Sequence, residues 1–460
     1  MSAERINELV SLLSVERVLT AASDLAHYGR DWTRWWPPAP LAVALPESIA
    51  EVQALVRWAS ERKVAIVPSG GRTGLSGGAV AAHGELVVSF ERMHRIGEFD
   101  PLDRTLTVEA GVVTETVQKT ARERGLYYPV DFGSRGSSQI GGNIATNAGG
   151  IKVIRYGMTR EWVAGLKVVD GRGELLDLNR GLVKNATGYD LRHLMIGSEG
   201  TLGLVVEATL RLTDAPRNLQ VMLLAVPDMA AVMRLLELAR GRLALMAFEF
   251  FTDRAMNHVL AEDGQSPFET RAACYALVEY EGIEDHESAA MAVFETGMEN
   301  GWLSDGVMAQ SEAQAQALWH LREGITESVA RYTPYKNDVS VRVSRVPAFL
   351  ADMDALFARE YPDIEVIWFG HVGDGNLHIS VLKPEGMDKL VFEHACERVT
   401  GMLCDVLEKH GGSISAEHGV GLLKKPYLAR VRSAAEIELM RQVKRVFDPH
   451  GILNPGKLLE

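Results

Sequence analysis

Apolar positions follow two rhythms along this chain. From Ile49 to Arg62, Val52, Leu55, Val56 and Ala59 recur at helical spacing, and Val64 to Val67 then runs apolar as a short strand. Residues 85–90 and 105–110 read as strands, and Thr114 to Arg124 reads as a helix stopped by Gly125. Strands dominate 166–212, after which Pro216, Arg217 and Asn218 close the first domain. Beyond them the pattern predicts strands at 220–226, 247–251, 275–281 and 339–343, and an apolar run at 364–369. Between these lie predicted helices at 228–240, 285–300, 311–331, 346–360 and 385–410, the last ended by Gly411-Gly412. Met1 to Leu19 reads as an amphipathic helix.

Helices layered on antiparallel strands make the expected fold class α+β. At 460 residues the chain exceeds what one hydrophobic core sustains, so it divides. The expected division is a first domain over 1–216, a helix-covered antiparallel cap domain over 217–412, and a C-terminal helical segment, 413–460, that returns to complete the site.

Composition then narrows the function. With 47% hydrophobic and 24% charged residues the chain is a folded soluble type, and a net charge of -13 excludes a general nucleic-acid binder. An anionic ligand must therefore meet local positive charge. Cys396 and Cys404, two of the three cysteines, are separated by about 12 Å of helix rise, beyond disulfide reach, which points to a reducing compartment. No apolar run reaches membrane-spanning length, so the expected setting is cytoplasmic, with peripheral membrane contact left open.

Glycines cluster in three places. Pro68-Ser-Gly-Gly-Arg-Thr-Gly-Leu-Ser-Gly-Gly78 follows a strand directly, and such a run lets backbone amides close around a pyrophosphate. It is neither a G-x-G-x-x-G fingerprint nor a P-loop. Ser137 to Gly150 (SSQIGGNIATNAGG) and Gly197 to Gly203 (GSEGTLG) are the others, and three such segments suggest one extended ligand held by backbone. A second cluster is chemical. In Gly370-His-Val-Gly-Asp-Gly-Asn-Leu-His378 a tight turn between strands brings His371 and His378 together, two neutral nitrogen ligands for a divalent metal. Ser413 to Gly421 (SISAEHGVG) offers Glu417 as the completing carboxylate and His418 as a neighbour able to reach a bound substrate.

The three glycine segments, in this order, resemble the FAD-binding domain of the vanillyl-alcohol oxidase and p-cresol methylhydroxylase superfamily. The resemblance implies a two-part flavin domain of the p-cresol methylhydroxylase type. It places Gly70, Gly71, Arg72, Thr73, Gly74 and Leu75 on the pyrophosphate, and Gly141, Gly142, Asn143, Thr146, Gly149 and Gly150 along the flavin and ribityl chain. Glu199, Gly203 and Val205 would hold the adenosine side, and Asn454 in the terminal LNPGK would be a late flavin contact. Neither of the first two segments contains a histidine, so FAD is expected to be non-covalent; His83, nearby, reads as a surface histidine.

GHVGDGNLH with SAEHGVG resembles the D-lactate, glycolate and D-2-hydroxyglutarate dehydrogenase branch of that superfamily, over nearly the whole chain. The branch implies His371, His378 and Glu417 as ligands of a divalent metal, commonly zinc, and His418 as the base. Arg322 and Thr326, at i and i+4 on a helix, and Lys336 resemble its carboxylate-binding positions. The expected reaction converts a D-2-hydroxy acid to the 2-oxo acid. D-2-hydroxyglutarate leads, with D-lactate, D-malate and glycolate as alternatives, because Ser380 stands where the D-2-hydroxyglutarate enzymes place an asparagine. An electron-transfer flavoprotein, quinone or cytochrome would accept the electrons, and a homodimer is the expected assembly. Competing readings are a subunit of a glycolate-oxidase-type complex, an ether-lipid synthase, and an inactive flavin-binding module.

Overall fold

Ser48 accepts a hydrogen bond from the Glu51 amide and so starts the helix Ile49–Arg62, whose Val52, Leu55, Val56 and Ala59 are all buried. The same logic of caps and apolar stripes organises the rest of the computed structural model, which describes residues 2–33, 35–263, 265–283 and 285–459. These residues form two compact units.

The first unit takes the chain up to Gly150, Tyr156–Ala215 and the segment from Glu417 onward. It contains a 4-stranded sheet ordered Val18–Leu19, Ala42–Ala44, Leu86–Ser89, Ile66–Ser69, with the last three strands parallel. Its 5-stranded sheet is antiparallel, ordered Ile96–Asp100, Thr105–Glu109, Leu204–Arg211, Val163–Val169, Leu175–Leu178. One core joins both sheets through Leu55, Ile66, Val88, Leu106, Ile144, Val206 and Leu453. The second unit is 151–155 with Pro216–Ala416. Its 7-stranded antiparallel sheet runs Asp305–Met308, Leu219–Val226, Cys274–Glu281, Ala244–Thr252, Val366–Gly370, Asn376–Val381, Tyr335–Ser340. Helices including Met229–Arg242, Glu312–Glu323, Val346–Glu360 and Lys389–His410 accompany it.

Several predicted elements shift. The N-terminal helix stops at Leu12, and Val18–Leu19 pairs with Val43 and Ala44 as an edge strand. The strand predicted at 339–343 is Tyr335–Ser340, because its register is fixed by pairing with Asn376–Val381. The helix predicted over 311–331 breaks at Gly324 into Glu312–Glu323 and Ile325–Ser328. Strands do not fill 166–212: residues 179–203 are irregular apart from the short helix Arg192–Met195. Within 137–150, Ile140–Thr146 forms a helix despite its two glycines, since Ile140 and Ile144 bury on one face.

Candidate active site

In the first unit the strand Ile66–Ser69 delivers the first glycine loop, and the other singled-out segments meet it. A Cβ at Gly71 would lie 2.1 Å from the Ser137 carbonyl oxygen, so only glycine allows that backbone approach. The Glu199 amide donates to Ala145 at 2.8 Å and the Gly197 amide to Ile144 at 3.0 Å, which docks the third segment on the second. Asn454 closes the ring: its Nδ2 donates to the Gly78 carbonyl at 2.9 Å and to the Glu199 carbonyl at 2.7 Å. Buried here, Gln139 Oε1 and Asn454 Oδ1 have no partner among the described residues. Unsatisfied buried acceptors in a glycine-walled cradle suit a polar ligand with donors, and the residues fit a flavin dinucleotide.

Other side chains in the cradle are committed to the protein. Asn143 Nδ2 donates to Thr114 Oγ1 at 2.6 Å, and Thr146 Oγ1 to the Gly142 carbonyl at 3.1 Å. Glu199 accepts from the Val420 and Gly421 amides at 2.7 and 2.8 Å; burial pushes its carboxyl upward against the pull of those amides. Val205 belongs to the sheet and Gly203 immediately precedes its strand, where a Cβ at Gly203 would lie 2.3 Å from Val168 Cγ1. Arg72, with a left-handed backbone, lies 4.6 Å from the Tyr28 ring centroid and 3.0 Å from His27 Nε2. Ser76 Oγ donates to the His418 carbonyl at 2.8 Å, which ties the glycine loop to the candidate base.

The second unit brings the imidazoles together. Val366–Gly370 and Asn376–Val381 form a hairpin whose Gly375, at φ 87, supplies the backbone conformation the turn needs. His371 and His378 then meet edge to face, ring centroids 5.1 Å apart and ligand nitrogens within 4.8 Å. Each ring has an acid beside it. His371 Nδ1 lies 2.8 Å from Glu249 Oε1, and His378 Nδ1 lies 3.6 Å from Asp338 Oδ1. A carboxylate hydrogen-bonded to one nitrogen of His371 orients that imidazole, and Asp338 sets negative charge beside His378, so this donor set fits a divalent ion. Asn376 Nδ2 donates to Asp338 Oδ1 at 2.7 Å, and the Ala416 amide donates to Asp338 Oδ2 at 3.2 Å. Ala416 immediately precedes Glu417 and His418, which open the segment returning to the first unit.

One cationic group stands on the same sheet and a second on the helix Glu312–Glu323. Lys336 lies directly across from Ser380, and Asp338 across from His378, so alternation along the strands puts all four on one face. Lys336 is partly buried, and desolvation holds its ammonium below the ordinary lysine range. Arg322, buried, pairs with Glu249 Oε2 at 2.8 Å and packs against the Phe369 ring at 4.9 Å. Thr326, beyond the break at Gly324, is exposed.

Glu249 is the residue that sequence reasoning passed over. Burial would raise its carboxyl, but the charges of His371 and Arg322 and the hydrogen bond from His371 hold it below the usual range. A signal existed: it is the one charged position in the apolar run Ala247-Phe-Glu-Phe-Phe251.

Comparison with known proteins bears on these two clusters. The family of FAD linked oxidases, C-terminal domain, matches residues 215–458, and the FAD binding domain family matches 40–179. A D-2-hydroxyglutarate dehydrogenase of Xanthomonas citri pv. viticola is 62% identical over 100% of this chain and 98% of its own length. The chain belongs to the FAD-linked oxidase family. This FAD-linked oxidase is also 57% identical to a D-2-hydroxyglutarate dehydrogenase of Stutzerimonas stutzeri, over 98% of each chain. Its fold matches the crystal structure of p-cresol methylhydroxylase with substrate bound at a TM-score of 0.75 and 17% identity, covering 100% of this chain and 97% of that one. The α+β class and p-cresol methylhydroxylase type expected from the sequence are thus borne out, as is an FAD-dependent oxidoreductase. Among the described residues no helix is long and apolar enough to cross a membrane.

Proposed function

We propose that this FAD-linked oxidase is a dehydrogenase that converts D-2-hydroxyglutarate to its 2-oxo acid, with His371, His378 and Glu417 holding a divalent metal, zinc first among candidates. The observation that carries the reading is one sheet that sets two acid-braced imidazoles beside Lys336 and near the buried charge of Arg322. That combination suits a substrate with a hydroxyl to polarise and carboxylates to hold, and the full-length relatives named for this reaction support it.

Bound FAD supplies the two-electron sink, and a bound metal supplies Lewis-acid polarisation of the substrate hydroxyl. The chain does the rest. Amides of Gly70 to Leu75 receive the pyrophosphate, Gly141 to Thr146 with Gly149 and Gly150 line the flavin, and the segment from Glu199 to Val205 with Asn454 closes the cradle. His418 takes the hydroxyl proton, a task suited to an imidazole with an ordinary pKa of ~6.5. Lys336 and Arg322, aided by Thr326, grip the acid groups and so orient the hydroxyl-bearing carbon. Electrons leave through a separate carrier, an electron-transfer flavoprotein, quinone or cytochrome, in a cytoplasmic homodimer.

One observation favours a second substrate. Ser380, directly across from Lys336, has a shorter reach than the asparagine of the D-2-hydroxyglutarate enzymes it resembles, which favours D-lactate or D-malate. Steady-state kinetics with an artificial dye across D-2-hydroxyglutarate, D-malate, D-lactate, glycolate and the L-isomers tests the reading. The highest kcat/KM is expected for D-2-hydroxyglutarate; a higher value for D-lactate moves the assignment to the monocarboxylate.

A further inference from the structure

Glu249 sits on the strand Ala244–Thr252, where Phe250 pairs with Gly370 and Phe251 with Phe369. Extending that antiparallel register by one residue puts Glu249 opposite His371. The ladder thus delivers a carboxylate to an imidazole before any side chain adjusts. From another element, the helix Glu312–Glu323, Arg322 reaches the same carboxylate. Its two oxygens are divided: Oε1 lies 2.8 Å from His371 Nδ1 and Oε2 lies 2.8 Å from an Arg322 Nη. Glu249 is 1% exposed and Arg322 6% exposed, so water does not substitute for either partner.

We infer that Glu249 is a positioning residue that couples metal binding to substrate-acid binding, by holding a histidine ligand with one oxygen and the arginine with the other. This rests on the roles proposed above for His371 and Arg322. A lone carboxylate serves both because one oxygen meets the imidazole nitrogen and the other lies within ion-pair distance of the guanidinium. With an ion bound at His371, the neighbourhood would hold that ion and a guanidinium, and Glu249 is the buried acid between them. Loss of Glu249 therefore loosens the ring orientation and leaves Arg322 buried without its counter-charge.

The chemistry of the side chain separates this from a purely structural ion pair. In Glu249→Gln the shape is kept, but one amide oxygen replaces two acceptors, so only one partner is served. In Glu249→Ala both are lost. The FAD-loaded wild type and both variants are compared for zinc affinity by chelator competition, and for kcat and KM with D-2-hydroxyglutarate at saturating zinc. FAD absorbance and the melting temperature report the fold. Glu249→Ala is expected to bind zinc about 10- to 100-fold more weakly, the range for removing a carboxylate behind a histidine ligand, and to show a raised KM even when zinc is saturating. Glu249→Gln is expected to be impaired in one of the two and near wild type in the other. Wild-type zinc affinity and KM in Glu249→Gln, or in a folded Glu249→Ala, would overturn the inference; if the alanine variant does not fold, the glutamine variant decides. A wild-type chain that turns over D-2-hydroxyglutarate without binding zinc refutes the metal reading and the coupling together. Unchanged variants of a zinc-binding, active wild type refute the coupling alone.

Discussion

At the scale of single residues, some groups act and others hold. His418→Ala should lower kcat by about 10²- to 10⁴-fold, the usual contribution of a general base, while flavin absorbance and zinc content stay near wild type. His371→Ala should instead lose zinc and turnover together; full zinc occupancy in that variant contradicts its role as a ligand. Lys336 gives a pH signature. In the role proposed for it the charged form holds a carboxylate and the neutral form does not, and burial lowers its pKa. KM for D-2-hydroxyglutarate should therefore rise with increasing pH from a point below the ordinary lysine value of ~10.4. In Lys336→Arg that alkaline rise should vanish, because guanidinium stays charged; an unchanged profile would mean another group titrates.

Elements carry the next layer, because both clusters depend on turns that only glycine permits. Gly375 joins the two histidine strands at φ 87, and a Cβ there would lie 2.1 Å from the Val341 carbonyl oxygen. Gly375→Ala should spread the hairpin and weaken zinc binding while leaving FAD content intact, since the cradle lies in the other unit. Conversely, Gly71→Ala sets a Cβ against the Ser137 carbonyl oxygen and should yield colourless protein. Yellow, fully loaded Gly71→Ala would place the dinucleotide elsewhere. These turns were legible in the sequence because glycine and histidine spacing is local. Less legible were features decided by distant pairing. Tyr335–Ser340 takes its bounds from Asn376–Val381, which moves Lys336 from a connecting segment into a strand opposite Ser380. Arg322 and Thr326 have ideal helical spacing, yet a break at Gly324 leaves one buried and the other exposed. Glu249 was invisible to motif reasoning, since its partners lie far along the chain from it and no short pattern links them.

For the whole molecule, the first unit gathers every segment whose sequence resembled a flavin cradle together with Glu417 and His418, and the second gathers His371, His378, Lys336 and Arg322. We propose that both serve one reaction on one D-2-hydroxy acid. Chelation should therefore abolish substrate oxidation without releasing flavin, and added zinc should restore it; rates that survive a chelator which strips the metal would separate metal from chemistry. Anaerobic mixing of the FAD-loaded protein with D-2-hydroxyglutarate tests the claim most directly, with the flavin absorbance followed and no electron acceptor present. Bleaching is expected with the D-isomer, none with the L-isomer, and none with the D-isomer after chelation; flavin that stays oxidised with the D-isomer, or bleaches equally with both, rules the proposal out.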